Sequence, residues 1–318
     1  MSSAVGLISN PNSGHNRDRF DRIRERVSHC SPVHHLVTDT ADQVPEALSR
    51  LAELDIATLA INGGDGTASA ILGQLLENRP FSRLPRIVLL PGGTANMNAG
   101  DVGASGRLEA AVARFCQWCE GPQHTAGLVA SRPLLRVQLH NSDQLHHGMF
   151  LGAGAVTQGT EYAHREIHSR GLRDDFSLAL GTARTLWGVL RDDPEFNQHV
   201  TIDLSLDGGP PRRHDSLVLV ISSLQRLAFG MRPFWGTGPG HLRLTVMEQH
   251  CTKFLRTFVS IARGRPNRNA VPQSGYFSHN AERIELSMNG SLNLDGEIIH
   301  AVGKVVVSAT PCLEFIKL

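Results

Sequence analysis

Apolar runs of strand length alternate with helical repeats in the first part of the chain. The runs lie at residues 4–8, 33–37, 57–61 and 87–90. Between them, and again at residues 107–119, apolar residues recur three and four positions apart, which predicts amphipathic helices. Thr40 and Gln43 have the spacing of a capping box and predict the start of the second helix. This alternation predicts a parallel sheet that is covered by helices on both faces.

The rest of the chain has a different pattern. Extended apolar segments follow one another, with turn residues between them, at residues 134–139, 149–151, 217–221, 242–246, 284–288 and 304–307. Such a series predicts an antiparallel sandwich or barrel. A single helical repeat interrupts it at residues 174–190. We therefore expect an α/β domain at residues 1–125 and a strand-rich domain at residues 126–318, with a C-terminal segment that could return to the first domain.

Composition and charge narrow the function classes. The 318 residues, of which 41% are hydrophobic and 19% charged, are typical of a globular protein of two domains. The formal net charge of +1 gives no large field to draw nucleic acid or an anionic membrane from a distance, so any membrane contact has to be local and shallow. No apolar run approaches the ~18 residues needed to span a bilayer. Residues 4–8 are too few for a signal peptide.

Cysteine and histidine usage adds little chemistry. The five cysteines are an odd number scattered along the chain, which indicates reduced thiols in the cytoplasm. Cys116 and Cys119 form a Cys-x-x-Cys pair, but no second pair accompanies them and both fall within a helical repeat, so we expect them in the core. None of the 16 histidines combines with a carboxylate at the spacing of a helical zinc site.

The strongest local signal is a glycine-rich turn between a predicted strand and a predicted helix, Gly63-Gly64-Asp65-Gly66-Thr67. Glycine lets a backbone turn sharply and approach a ligand closely. The helix that follows presents unpaired N–H groups and the positive end of its dipole, which favour phosphate oxygens. Asp65 would repel a phosphate, so its role would be with a metal ion, a ribose or an attacking hydroxyl group.

Two further polar turns, at residues 10–14 and 91–96, also follow predicted strands. The carboxyl ends of parallel strands share one edge of the sheet, which is where open α/β sheets bind ligands. We therefore expect the three turns to meet and to form a nucleotide site.

These motifs together resemble the catalytic domain of the diacylglycerol kinase family, a group that includes sphingosine kinases and bacterial lipid kinases and is distantly akin to NAD kinases. The motifs are Asn10-Pro11-x-Ser13-Gly14, Gly63-Gly64-Asp65-Gly66-Thr67 and Pro91-x-Gly93-Thr94-x-Asn96. Near the C-terminus, Asn293-Leu294-Asp295-Gly296-Glu297 is similar to the acidic turn of the family. All four motifs match in order and spacing, so the resemblance covers nearly the whole chain.

The resemblance implies a Rossmann-like N-terminal α/β domain, an all-β sandwich C-terminal domain, and an active site in the cleft between them. It also implies that ATP, with Mg²⁺, phosphorylates a hydroxyl group of a diacylglycerol-like or sphingoid-like lipid reached at the membrane surface, and it is compatible with a homodimer. The implied ATP-binding residues are Asn10, Pro11, Asn12, Ser13, Gly14, Thr38, Gly63, Gly64, Asp65, Gly66, Thr67, Ala68, Ser69, Ala70, Gly93, Thr94 and Asn96. The implied catalytic residues are Asp65, Asp295 and Glu297, and either Asp65 or Glu297 would accept the proton of the lipid hydroxyl.

Three positions depart from the family's usual pattern. Ala70 and Met97 stand where the family usually has Glu and Asp, and residues 238–242 carry Pro239 where a carboxylate for a structural Mg²⁺ is usual. We therefore expect that metal site to be lost, and we predict no other metal ligand from the sequence. The departures leave open a catalytically weak nucleotide- or lipid-binding homologue. The Gly-Gly-Asp-Gly turn leaves open an enzyme of the NAD kinase type.

Overall fold

The computed structural model describes residues 4–31, 33–121, 128–162 and 199–318. The chain divides into two compact units. Unit 1 comprises Met1–Arg132 and Cys312–Leu318, and unit 2 comprises Pro133–Pro311. The helix predicted at residues 174–190 lies outside the described residues.

Unit 1 is an α/β domain, as the alternating pattern predicted. Its elements in chain order are β1 Val5–Ser9, α1 Phe20–Ser28, β2 Val33–Val37, α2 Val44–Glu53, β3 Thr58–Gly63, α3 Asp65–Asn78, β4 Arg86–Pro91, α4 Met97–Val102, α5 Leu108–Glu120, β5 Leu128–Arg132 and β15 Leu313–Lys317. The strand order is β2-β1-β3-β4-β15-β5. The pairs from β2 to β15 are parallel, and β5 is antiparallel to β15.

The core of unit 1 explains why these segments form helices and strands. All five residues of β1 are buried, as expected for a strand covered on both faces. In α1 the apolar residues Ile23 and Val27, one helical turn apart, are buried, while charged residues occupy most of the other positions. They join a cluster that includes Phe115, Cys116 and Cys119 of α5, which confirms that the Cys-x-x-Cys pair is a core feature. Burial raises the pKa of Cys116 to about 12, so this thiol stays protonated.

Two local expectations for unit 1 differ from the structure. Thr40 makes no capping hydrogen bond; the Gln43 side chain instead accepts the Asp39 N–H, and a 3₁₀ turn, Ala41–Gln43, precedes α2. The pattern also missed α4, since six residues are too few to show a helical repeat.

Unit 2 is rich in strands. Its elements are β6 Leu135–Leu139, β7 Leu145–Gly148, β8 Phe150–Gly154, α6 Ala155–Tyr162, β9 Val200–Leu206, β10 Arg212–Ser222, β11 Leu242–Glu248, α7 Phe254–Ala262, β12 Tyr276–Ala281, β13 Arg283–Leu294 and β14 Glu297–Ala309. The strands run in the order β12-β11-β10-β8-β13-β14-β6-β7, and β9 pairs with both β10 and β13. The strand-rich pattern agrees with the expectation for the second domain, and two helices, α6 and α7, lie between its strands.

The segment at residues 238–242, where the family's structural metal would bind, lies directly against β12. A Cβ atom on Gly240 would lie 1.9 Å from the carbonyl carbon of Ala281, and one on Gly238 would lie 2.4 Å from the carbonyl oxygen of Asn280. Glycine is required here because the two backbones touch. Close packing therefore accounts for these glycines.

Candidate functional site

The three glycine-bearing turns meet at the carboxyl edge of the sheet of unit 1. Strand β3 lies between β1 and β4, so the three strands end side by side. The Asn10 N–H donates to the Asn62 carbonyl at 2.9 Å, and the Gly92 N–H donates to the Gly63 carbonyl at 3.1 Å. The His15 N–H, just past the first turn, donates to the Gly92 carbonyl at 2.9 Å. The turns therefore form one continuous surface that is lined by backbone.

Glycine at two positions lets the turns pack this closely. A Cβ atom on Gly93 would lie 2.3 Å from the Cα atom of Gly64, a distance that real Cβ contacts do not show. A Cβ atom on Gly14 would lie 2.5 Å from Oγ1 of Thr94. The third turn thus touches both of the others without room for a side chain.

Polar side chains tie the first turn to the start of α3. The hydroxyl oxygens of Ser13 and Thr67 lie 3.2 Å apart, and the Asn10 amide donates to Oγ1 of Thr67 at 3.1 Å. The Gly64 N–H donates to Oγ of Ser13 at 3.3 Å. These bonds place the first turn of α3 beside the first loop.

The N-terminus of α3 has the properties of an anion site. Gly64 is its extended N-cap residue, and no side chain caps the helix. The N–H groups of a first helical turn have no partner within the helix, so a phosphate can accept them. Gly66 is exposed and Thr67 is half-buried, whereas Ala68 and Ser69 are buried. Among the predicted residues of this helix, Gly66, Thr67 and half-buried Ala70 are therefore the ones that a ligand can reach, and the first two belong to its first turn.

Asn96 shapes the third turn. Its side-chain oxygen accepts the Gly93 N–H at 2.8 Å, and its side-chain nitrogen donates to the Gly93 carbonyl at 2.7 Å. Its backbone is left-handed, with φ of 49°, a conformation that asparagine tolerates better than most residues. Asn96 therefore supports Gly93 and Thr94 as part of the scaffold.

Asp65 is held by the backbone of α4. One carboxylate oxygen accepts the Met97 N–H at 3.0 Å, and the other accepts the Asn98 N–H at 2.9 Å. Only 8% of the residue is exposed. Burial raises the pKa of Asp65, and the two N–H groups oppose that rise by stabilising the charged form. Asp65 acts in the structure as a remote N-terminal cap that connects α3 to α4.

The remaining predicted residues of unit 1 lie beside this surface. Thr38 follows β2 and is buried, with its N–H donating to the Ser9 carbonyl at 3.0 Å. Pro11 is half-buried and Asn12 is exposed, and the Asn12 N–H donates to the side-chain oxygen of Asn10 at 2.8 Å. The structure places Thr38 beneath the strand ends and Asn12 at the surface.

One residue that the sequence reasoning missed is Asn16. It is fully buried, and its side-chain nitrogen donates to the Asn10 carbonyl at 2.7 Å and to the Asn62 carbonyl at 3.3 Å. It therefore joins the ends of β1 and β3. A single asparagine in a turn-rich stretch carries no periodic signal, so only the contacts reveal it.

The acidic turn of unit 2 is a two-residue hairpin between β13 and β14. Asp295 and Gly296 have φ values of 48° and 95°, as this kind of tight hairpin requires. The carboxylate oxygens of Asp295 accept the Met149 N–H at 2.8 Å and the Phe150 N–H at 3.0 Å. With 7% of the residue exposed, Asp295 mainly joins the hairpin to the start of β8.

Glu297 differs from the two aspartates. It is the first residue of β14 and is exposed. Its side chain forms no hydrogen bond or ion pair with the described part of the chain. Of the three predicted catalytic carboxylates, Glu297 is thus the one whose oxygens are not already bound by backbone N–H groups.

The described residues contain neither a cluster of metal ligands nor a helix that could span a membrane. Within residues 4–31, 33–121, 128–162 and 199–318, no group of three or more His, Cys, Asp or Glu side chains is arranged to hold a metal ion. No helix in the same ranges has the length and hydropathy needed to cross a bilayer.

Unit 1 has a parallel sheet whose glycine-bearing turns surround a helix N-terminus, an arrangement with which α/β domains commonly bind phosphate. Residues 4–126 match the family model described as the diacylglycerol kinase catalytic domain. No curated protein sequence matches the chain.

Solved structures agree in fold at low sequence identity. A diacylglycerol kinase from Bacillus anthracis str. Sterne superposes with a TM-score of 0.60 at 14% identity, covering 98% of this chain and 97% of that one. A second structure from this strain, provisionally described as a diacylglycerol kinase, has a TM-score of 0.62 at 15% identity and covers 96% and 94% of the two chains. These similarities establish the fold of both units.

Proposed function

We propose that the chain is an ATP-dependent lipid kinase that transfers the γ-phosphoryl group to a hydroxyl group of a diacylglycerol-like or sphingoid-like lipid. The observation that carries the proposal is the junction of three glycine-bearing turns around the uncapped N-terminus of α3, within a diacylglycerol kinase catalytic domain. The proposal also places the protein in the cytoplasm, in transient contact with the membrane that holds its lipid.

The residues of the turns fit a nucleotide phosphate. Exposed Gly66 and half-buried Thr67 belong to the first turn of α3, where N–H groups and the helix dipole favour an anion. Thr94 and Gly93 belong to the third turn, which contacts Gly64 and lets the ligand approach the backbone. The chain would bind and orient the triphosphate with these groups.

The same residues fit a protein-bound Mg²⁺ poorly. Asp65 is the only acidic residue in the three turns, and both of its carboxylate oxygens already accept backbone N–H groups. Mg²⁺ often binds to substrate phosphates and water with only one or two protein carboxylates. We therefore assign Mg²⁺ to the nucleotide, and the reaction proposed below uses no metal ion held by this chain.

We propose Glu297 as the proton acceptor. The lipid hydroxyl oxygen forms a bond to the γ-phosphorus while the bond from that phosphorus to the β–γ bridging oxygen breaks. The hydroxyl proton passes to the Glu297 carboxylate, and ADP leaves. The exposure of Glu297, against the backbone-bound state of Asp65 and Asp295, supports this assignment.

The departures from the family pattern affect this proposal less than the sequence suggests. Met97 replaces a family carboxylate, but the contact that it makes with Asp65 uses its backbone N–H. The link between α3 and α4 therefore persists without the missing side chain. This observation favours an active kinase over a weak binding homologue.

The test is incubation of the full chain with radiolabelled ATP, Mg²⁺ and a mixed lipid extract. Label in the organic phase is expected, with mass spectrometry identifying the product. Label only in an aqueous dinucleotide would support an NAD kinase, and ATP binding without any product would support the non-enzymatic homologue.

Glu297→Gln tests the proton acceptor. It should lower turnover by about 10²- to 10⁴-fold without changing stability, since it removes a general base from an exposed position. Asp143→Asn, which neutralises another exposed carboxylate of unit 2, is the control and should keep wild-type turnover. Wild-type turnover in Glu297→Gln would remove this residue from the mechanism.

We further propose that unit 2 is a β-sandwich. One core cluster includes Leu244 and Val246 of β11 and Leu135 and Val137 of β6, although these strands lie near opposite ends of the strand order. A sheet that folds over onto itself would bring them together, as in a sandwich.

A further inference from the structure

Helix α7 of unit 2 carries large apolar side chains on both its inner and its outer face. Its inner face buries Thr257 and Ile261, and Phe254 and Phe258 pack against the cluster around Tyr276. Its outer face carries Leu255, which is 49% exposed. A large apolar side chain thus points to solvent from a helix that is already anchored to the core.

The surroundings of Leu255 are strongly basic. Residues 249–281 contain no Asp or Glu, although Lys plus Arg and Asp plus Glu are nearly equal over the whole chain, at 31 and 30. The basic residues of this stretch are all exposed, and none forms an ion pair with a described residue; they are Lys253, Arg256, Arg263, Arg265 and Arg268.

Leu255 and four of these five cations border a surface depression of about 820 Å³. It is lined by Lys253, Phe254, Leu255, Arg256, Val259, Ser260, Arg263 and Arg265, and we call it the α7 surface. Half of these residues are cationic and three are apolar, so a ligand for it has to offer negative charge and apolar groups together.

An anionic phospholipid bilayer has this combination of properties. Headgroup phosphates would accept the Arg and Lys side chains, and Leu255 would enter the boundary between headgroups and acyl chains. A nucleic acid would meet the cations but give Leu255 no apolar partner. With a net charge of only +1, attraction has to come from such a local patch.

We propose, resting on the lipid-kinase function given above, that the α7 surface docks the protein on an anionic phospholipid bilayer. The helix lies in the plane of the interface, with Leu255 inserted and the four cations of the α7 surface against the headgroups. The surface supplies the local, shallow contact through which an enzyme that acts on a bilayer lipid reaches its acceptor.

Cosedimentation of the full chain with sucrose-loaded vesicles tests this docking. Vesicles of phosphatidylcholine with phosphatidylglycerol should bind the wild type, vesicles of phosphatidylcholine alone should bind it much less, and added salt should weaken the binding. Arg256→Gln with Arg263→Gln should lower affinity for the mixed vesicles by about 25-fold, at about fivefold for each cation. Leu255→Ser should lower it by about fivefold.

Matched variants in the same unit provide the controls. Arg212→Gln with Arg213→Gln removes two exposed cations from β10, and Val302→Ser removes an exposed apolar side chain from β14. Both should bind vesicles as the wild type does. Thermal unfolding of all four variants checks that each is folded. The double arginine variant and Leu255→Ser are independent of each other, so either one suffices for the test.

Three results would overturn the docking proposal: equal binding to both kinds of vesicle, unchanged binding of both α7 variants, or equal losses in the controls. Binding to RNA without binding to vesicles would also overturn it. Turnover separates this proposal from the kinase function, because the α7 variants should keep wild-type turnover on a dispersed short-chain diacylglycerol and lose it on bilayer lipid. Vesicle binding by the α7 surface without phosphorylation of any lipid would refute the kinase function and leave the docking surface standing.

Discussion

Replacing Asp65 with asparagine separates a structural role of this carboxylate from a chemical one. The two oxygens of Asp65 accept the N–H groups of Met97 and Asn98. Asparagine keeps one oxygen acceptor and turns an NH₂ group toward the other N–H, so one buried donor loses its partner. A hydrogen bond to a charged group contributes about 1.5–3 kcal/mol, and an unsatisfied buried donor costs about 1–3 kcal/mol.

The loss of a buried charge offsets part of this cost. Burial raises the pKa of Asp65, which means that desolvation opposes the ionised form in the folded protein. We therefore expect Asp65→Asn to lower the free energy of unfolding by about 2–3 kcal/mol. The change should also loosen α4 and the third turn, and so weaken nucleotide binding.

Urea unfolding of wild type and variant measures the effect. The midpoint should fall while the slope stays the same. Asp18→Asn, a neutralisation of an exposed carboxylate in unit 1, is the control and should not shift the midpoint. An unchanged midpoint in Asp65→Asn would refute the capping role, and an unchanged midpoint with lost turnover would place Asp65 in the chemical step.

Two further predictions test the packing of the turns and the environment of a buried histidine. Gly93→Ala should lower the free energy of unfolding by about 2–3 kcal/mol and weaken ATP binding, because its Cβ would lie 2.3 Å from the Gly64 backbone. The control is Gly100→Ala in α4, where no atom lies within 4 Å of an added Cβ, and it should change neither quantity. Equal effects of the two substitutions would contradict the argument. Burial, aided by Arg24, lowers the pKa of His35 from 6.5 to about 4, so the fold favours the neutral ring and stability should decline as pH falls from 6.5 towards 4. Urea unfolding at pH 7 and pH 5 measures the decline in the free energy of unfolding, and His35→Gln should reduce it by about 1–2 kcal/mol, after allowance for the partial exposure of the ring. Parallel pH profiles of wild type and variant would show the assignment to be wrong.

Much of unit 1 could be predicted because its signals are local. The apolar runs at residues 4–8, 33–37, 57–61 and 87–90 lie within or next to four of the five parallel strands of unit 1. Periods of two and of 3.6 residues follow from backbone geometry alone, so they can be read without knowing the partners. The position of the glycine turns after these strands was predictable for the same reason.

Helix α7 shows where that reading failed in unit 2. Phe254, Phe258 and Ile261 have helical spacing, but they lie in a region where strand-like segments dominate the pattern. The basic character of residues 249–281 is also visible in the sequence, yet its meaning depends on exposure. Only the fold shows that Leu255 and four cations share a surface with no acidic neighbour in the stretch.

The sequence by itself determined the order of strands and turns in unit 1, the resemblance of its motifs to the diacylglycerol kinase family and the three carboxylates worth testing. The tertiary structure decided how those carboxylates differ. Asp65 and Asp295 receive N–H groups from residues 32 to 33 and 145 to 146 positions away, and burial follows from the same contacts. Glu297 has no such partners among the described residues. The charge, pKa and availability of a carboxylate depend on what surrounds it in space, and distant segments supply those surroundings only once the chain is folded.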